Sequence, residues 1–278
     1  MNANDFAGKT VIITGASAGV GAACARAFAQ QKAKLVLVAR GQAALDTIAE
    51  ELRSVADVIT VAMDVANSAD CLSLFEKAEA AFGAVHVLVN NAGLHLRGPV
   101  VSRRPQDLAL MVDVNMRAPL VLTAAALPHM RKAGWGAVVM VGSLAGLAPL
   151  QGAATYSATK AGLRAFSYAL ADELRDTNIC VGIVSPGPVD TAFIMSEIDE
   201  VEDIVFSQPM STPEQVAAAV LNLSAGSGIE VALPAVSGKL TTLGYLFPAF
   251  RRKTREMLYR KGRKNKEKYR QRGQASNT

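Results

Sequence analysis

Lys9-Thr10-Val11-Ile12-Ile13-Thr14-Gly15-Ala16-Ser17-Ala18-Gly19-Val20-Gly21 runs from an apolar, β-branched stretch through a glycine-rich turn and straight into a helical pattern, Ala22 to Gln31. The opening run, Lys9 to Thr14, reads as a short buried strand. Strand, glycine turn and helix in that order form the context of a dinucleotide fingerprint. Glycines let backbone approach a pyrophosphate, and a helix N-terminus offers free N–H groups and a partial positive charge. Gly15, Ser17, Ala18, Gly19, Val20 and Gly21 are therefore candidate cofactor-binding residues. Their spacing is G-x-x-x-G-x-G rather than the commoner G-x-G-x-x-G, and taken alone it also suits a structural turn.

Further along, apolar runs recur near residues 10, 35, 59, 87, 138, 181 and 231, with helical patterns between them. This βαβ repetition predicts an α/β fold: a doubly wound, mostly parallel, seven-stranded Rossmann-like sheet with helices on both faces, in three layers. A chain of 278 residues, 50% of them hydrophobic, can bury such a core within one domain. We place that domain over residues 1–240 and an apolar, then basic, C-terminal extension over 241–278. No stretch reaches the ~18 uninterrupted apolar residues of a membrane-spanning helix. The opening Met1-Asn2-Ala3-Asn4-Asp5 lacks the basic and apolar segments of a secretory signal. The expected location is cytoplasmic. Cys24, Cys71 and Cys180 lie far apart with no C-x-x-C, and His86, His95 and His129 show no ligand spacing, so reduced thiols and no metal site are expected. His95 alone falls where it can line a substrate pocket.

Tyr156 and Lys160 stand four residues apart, which on a helix puts a phenol and an ammonium on one face about 6 Å apart along the axis. A nearby cation favours the phenolate and draws a group that titrates near pH ~10 toward working pH. Tyr156 is thus a candidate acid/base. Ala137 to Val141 is a β-rich run that delivers Ser143 to the C-terminal sheet edge, where its hydroxyl can donate to a substrate oxygen. Val85 to Asn90 reads as another short strand, ending in Asn91-Ala92-Gly93, small and polar residues suited to a tight turn under a cofactor. Asn115 lies inside an expected long helix, Pro105 to Arg131, a poor place for Asn unless its side chain has a partner to bind.

Together these motifs, with Pro186-Gly187-Pro188-Val189-Asp190-Thr191, resemble the short-chain dehydrogenase/reductase family in its compact, single-domain form, over roughly Lys9 to Leu233. The resemblance implies hydride transfer between a nicotinamide cofactor and a carbonyl/alcohol pair. By it, Tyr156 exchanges a proton with the substrate oxygen and Ser143 orients that oxygen. Lys160 depresses the phenol's pKa and holds the nicotinamide ribose, and Asn115 helps hold a water that connects the lysine to solvent. Cofactor contacts are implied for Pro186, Gly187, Val189 and Thr191, and for Asp64, resembling an aspartate that contacts adenine, with Val65 beside it. A homodimer or homotetramer through the helices carrying Asn115 and Tyr156 is implied as well.

Cofactor choice is argued from Leu35-Val36-Leu37-Val38-Ala39-Arg40. An acidic residue after this strand would bind ribose hydroxyls and repel a 2′-phosphate, whereas Arg40 suits a phosphate and can stack on adenine. NADP(H) is expected, with NAD(H) the second choice, since Ala18 supplies no second basic residue. Leu94, Leu144, Leu147, Leu150, Phe193, Ile194 and Met195 fall in loops around the reacting carbon and carry no charge, which points to an apolar, lipid-like, steroid-like or aromatic substrate. The alternatives are an NAD-preferring alcohol dehydrogenase and an idle cofactor-binding regulator; intact Ser143, Tyr156 and Lys160 speak against the second. Thr191 to Met210 carries five acidic residues and reads as a mobile lid. From Arg251 to Arg272 there are 12 Lys or Arg against two acidic residues, so the net +5 hides an acidic body with a basic appendage. That appendage reads first as a solvated tail, next as a helix on an anionic membrane surface or guiding a lipid-like substrate, with a nucleic-acid contact and an oligomer contact less favoured than either.

Overall fold

Period-two burial sorts the central strands: Val11, Ile13, Leu35 and Leu37 face one side of the sheet, while Ile12, Val36 and Val38 face the other. The computed structural model describes residues 6–275. Residues 1–5, read above for a leader, and 276–278, the end of the C-terminal extension, lie outside the described residues, as do the side chains of Phe250, Arg251, Arg272, Gln274 and Ala275. The elements are β1 (Thr10–Thr14), α1 (Gly19–Gln30), β2 (Lys34–Ala39), α2 (Gln42–Leu52), β3 (Val58–Ala62), α3 (Ser68–Phe82), β4 (Val87–Asn90), α4 (Pro105–Val112) and α5 (Ala118–Lys132). There follow β5 (Gly136–Val141), α6 (Ala154–Glu173), β6 (Ile179–Pro186), α7 (Ala192–Met195), α8 (Pro213–Ser224), β7 (Glu230–Leu233), α9 (Ala235–Leu246) and α10 (Pro248–Ala275).

The sheet has seven strands in the order β3-β2-β1-β4-β5-β6-β7, all paired in parallel. Side chains of α1, α2 and α8, including Phe28, Leu45 and Val220, cover one face. Phe75 of α3, Leu122 of α5 and Leu163 of α6 cover the other. The expected three-layer Rossmann-like α/β fold is therefore the fold observed.

Local differences have local causes. β4 starts at Val87 rather than Val85; the ring of His86 instead accepts the Thr10 N–H at Nδ1, 3.0 Å away. The helix expected over 105–131 is broken by a π turn, Asp113–Arg117, between α4 and α5. By length and composition Pro105–Lys132 is apolar enough to cross a membrane, but Ala118, Leu122, Ala126 and Met130 pack it onto the sheet. The boundary placed at residue 240 falls inside α9.

The acidic stretch after β6 is tied down rather than free. It contains α7 and a 3-10 turn, Asp203–Ser207, across which α10 packs. Lys266, almost fully buried, donates to Asp199 O at 3.2 Å and Val201 O at 2.6 Å and lies 3.4 Å from Asp203 Oδ1. Arg263 pairs with Asp203 at 3.2 Å, Arg270 with Asp199, and Asn265 donates to Phe206 O at 2.9 Å. Gly262 is needed where the two backbones meet, since a Cβ there would stand 1.8 Å from Asp203 O. Beneath, Ile194, Val201 and Phe206 form a small separate core that Tyr269 joins.

Candidate active site

Strand order reverses at β1, which lies between β2 and β4, so the turns after β1 and β4 open side by side at the C-terminal sheet edge. Gly15 and Gly19 adopt φ of +65° and +53°, the left-handed region that favours glycine. At Gly21 a Cβ would lie 2.1 Å from Gly15 O, so the third glycine lets the helix start against the turn. Asn91 Nδ2 donates to Thr14 O at 2.8 Å and Gly15 O at 3.2 Å, while Thr14 Oγ1 accepts the N–H groups of Asn91 and Ala92, both at 3.0 Å. Asn91 thus acts as a brace under the glycine turn. No side chain caps α1 and no acidic residue sits in its first turn, leaving N–H groups for an anion. Thr191 closes on this turn: its Cγ2 would be 3.2 Å from a Cβ at Gly19. A cradle of this shape fits the pyrophosphate of a dinucleotide. Ala18 is exposed and Ser17 partly so, whereas Val20 packs partly against the core.

The other cofactor candidates ring the same edge. Arg40 is exposed just past the end of β2, with no ion-pair partner among the described residues. Asp64 Oδ1 accepts the Ala66 N–H at 2.9 Å, shaping the turn before α3, whose own cap is Asn67. The side chain of Val65 is buried in the core, and its carbonyl accepts from Cys71 Sγ at 3.3 Å. Pro186 ends β6, the Gly187 N–H donates to Leu233 O at 2.7 Å, and Val189 bridges to Ser211.

On the first turn of α6, Tyr156 lies near enough to Ser143 for that hydroxyl to act against the upward shift of the phenol. Ser143 itself caps the short turn after β5, accepting the Ala145 N–H at 3.1 Å. Lys160, one helical turn on, is buried with its Nζ 5.7 Å from the Tyr156 ring centre and donates to Val141 O at 2.8 Å. The electrostatics differ from the expectation that the lysine draws the phenol down. Burial raises Tyr156, opposed by the nearby Ser143 hydroxyl and the positive charge of Arg97, and burial lowers Lys160 to about 8. Desolvation dominates both groups. Near neutral pH the phenol is therefore a proton donor.

Asn115 sits in the π turn, fully buried, where the widened backbone turns its amide inward. Oδ1 accepts the Leu94 N–H and Nδ2 donates to Leu94 O, both at 2.7 Å. Gly93 lies between Asn115 and the lysine, for a Cβ on it would be 3.5 Å from Asn115 Oδ1 and 3.9 Å from Lys160 Nζ. Asn115 therefore holds the loop that roofs Lys160.

His95 stacks on Tyr156, ring centres 4.1 Å apart and 14° from parallel. Arg97 Nη1 donates to His95 Nδ1 at 2.8 Å; since arginine only donates, the imidazole proton is on Nε2. Burial, then Arg97, Arg103 and Lys160, lower His95 to about 3, keeping it neutral. Sequence reasoning missed Arg97, which also pairs with Glu197 at 3.1 Å and donates to Phe193 O at 3.0 Å. Its one signal in the sequence is a charged residue two positions after His95, between Leu96 and Gly98. Leu96, Leu108, Met111 and Ala153 line a small gap beside Tyr156. Ile194, expected around the substrate, turns instead into the core under α10.

Comparison with known proteins agrees with this geometry. Residues 9–202 match the family model described as short chain dehydrogenase. Among curated relatives, the ketoacyl reductase HetN of a Nostoc species is 33% identical over 229 residues, covering 81% of this chain and 78% of that protein. An NADP-dependent 3-hydroxy acid dehydrogenase of Schizosaccharomyces pombe is 33% identical over 222 residues, 77% of this chain and 86% of the relative. A short chain dehydrogenase of Pseudocercospora fijiensis is 35% identical over 188 residues, 66% of this chain and 60% of the relative. With the glycine cradle, the parallel sheet and the Ser143–Tyr156–Lys160 cluster in place, the match over most of the chain makes it an oxidoreductase of the short-chain dehydrogenase family.

Proposed function

We propose that the chain is an NADP(H)-dependent carbonyl reductase or alcohol dehydrogenase acting on an apolar substrate. The observation that carries this reading is Tyr156, kept protonated by burial near Ser143, with the buried amine of Lys160 5.7 Å from its ring centre. A bound nicotinamide supplies the hydride equivalent. The Ser143 hydroxyl positions the substrate oxygen, Tyr156 Oη hands its proton to that oxygen, and Lys160 holds positive charge behind the ring. His95, fixed by Arg97, limits the tilt of the phenol. The uncharged Leu94, Leu144, Leu147 and Leu150 of the loops at this sheet edge favour a substrate with few charges near the reacting carbon. Arg40, with no ion-pair partner among the described residues, supports NADP(H), as does the similarity to the NADP-dependent 3-hydroxy acid dehydrogenase of Schizosaccharomyces pombe. A homodimer or homotetramer belongs to the same reading, supported by the exposed Leu110 and Val112 of α4.

The direct test is oxidation of NADPH and NADH by the purified chain against ketones and aldehydes graded in size and polarity. Turnover rising with apolar size and faster with NADPH is expected; turnover with none of them sinks the reading, and faster turnover with NADH leaves only the NAD-preferring alternative.

The ionisation of Lys160 gives a second expected result. With the amine at about 8, kcat/KM for NADPH should be level below that pH and fall above it as the positive charge is lost. Tyr156, raised, stays protonated through the same window. Lys160→Arg keeps its charge and should abolish the fall. A profile level for more than a pH unit beyond that point would remove Lys160 from this role.

A further inference from the structure

The last two helices carry two surfaces that the catalytic reading does not use. Val236, Leu240, Leu243 and Phe247 follow one another at helical spacing along α9 and its end, and they are 69%, 57%, 42% and 57% exposed. Spaced i, i+4, i+7 and i+11, they form one apolar stripe rather than scattered single residues. On α10 the residues that clamp the acidic segment, Tyr259, Arg263, Lys266 and Arg270, share one face. The opposite face carries Lys253, Met257, Lys261, Lys264 and Lys268 at the same helical spacing, with Arg260 beside them. These five cations are exposed and have no acidic partner among the described residues. Two of them, Lys261 and Lys268, border a groove of about 480 Å³ that Asn265, Tyr269 and Gln208 also line.

Folding thus divides the basic residues of α10. One face neutralises the chain's own acidic segment, and the other stays charged and uncovered. An uncovered cationic face directly following an exposed apolar stripe matches one kind of surface, which offers anionic groups outside and hydrocarbon beneath. We propose that this chain docks peripherally on an anionic lipid bilayer, the α9 stripe entering the headgroup boundary and the outer face of α10 lying on the phosphates. Docking of this kind leaves the clamp on residues 199–206 intact, because it uses the other side of the helix.

The test is flotation of the full-length chain with vesicles of phosphatidylcholine alone and of phosphatidylcholine with about one third phosphatidylserine, at low salt and at ~0.5 M salt. Binding only to the anionic vesicles, and release by salt, is expected. Each basic residue near such a surface contributes about fivefold to partitioning, so the triple variant K261E/K264E/K268E should lose on the order of a hundredfold or more. Leu240→Asp with Leu243→Asp, both on the exposed stripe, should also prevent binding. Light scattering on the same samples supplies the competing outcome: a dimer that these two substitutions make monomeric would assign the stripe to a contact between copies and overturn the proposal. Absence of binding at low salt, or equal binding to both vesicle types, would overturn it as well.

Discussion

Tyr156→Phe is expected to lower kcat by about 10²–10⁴-fold, the range for losing a positioned proton donor, which corresponds to roughly 3–5 kcal/mol of barrier. The substitution removes one oxygen and keeps the ring, so the stack on His95, with centres 4.1 Å apart, is retained. The fold and the cofactor cradle should therefore survive, and NADPH binding followed by fluorescence should change little. What disappears is the group whose proton burial holds in place beside Ser143. Because that burial raises the phenol, the wild-type chain should also reduce carbonyls readily at neutral pH, while the reverse oxidation, which needs the phenolate, should gain as pH rises. Turnover of Tyr156→Phe within a few-fold of wild type would show that the proton comes from elsewhere.

How far the sequence carried depends on the distance over which each signal acts. Seven strands were legible because Val11-Ile12-Ile13 and Leu35-Val36-Leu37-Val38 are local apolar runs, and both faces of a parallel strand are buried. The glycine turn was legible because its requirement for positive φ at Gly15 and Gly19 is met within the motif itself. Asn115 stood out as a polar residue in a helix, yet nothing in its neighbours announces a π turn, which depends on the bonds of its amide to Leu94. The lowered phenol was expected from the spacing of Tyr156 and Lys160; the burial that raises it, and the Arg97 charge that partly opposes this, both come from the tertiary fold. The same holds for the tail. A run of Lys and Arg reads as solvated until Asp199 and Asp203, more than fifty residues earlier, are folded against Lys266 and Arg270. His95 was placed near the pocket, but Arg97, which fixes its tautomer, was not singled out.

Replacing Arg40 by Asp should reverse cofactor preference. A charge-assisted bond to a phosphate contributes about 1.5–3 kcal/mol, so kcat/KM for NADPH should fall roughly 10–150-fold from loss of the guanidinium alone, and further from repulsion by the new carboxylate. NADH should lose little or gain, because a carboxylate at the end of β2 can accept bonds from the ribose hydroxyls. The site tolerates the exchange structurally: Arg40 is exposed and its side chain takes part in no ion pair among the described residues, so no internal contact is broken. Arg40→Gln separates the two roles open to this side chain. If the guanidinium binds the 2′-phosphate, only NADPH suffers; if it stacks on adenine, both cofactors lose together. A ratio of NADPH to NADH efficiency that is unchanged in Arg40→Asp would assign cofactor selection to another residue.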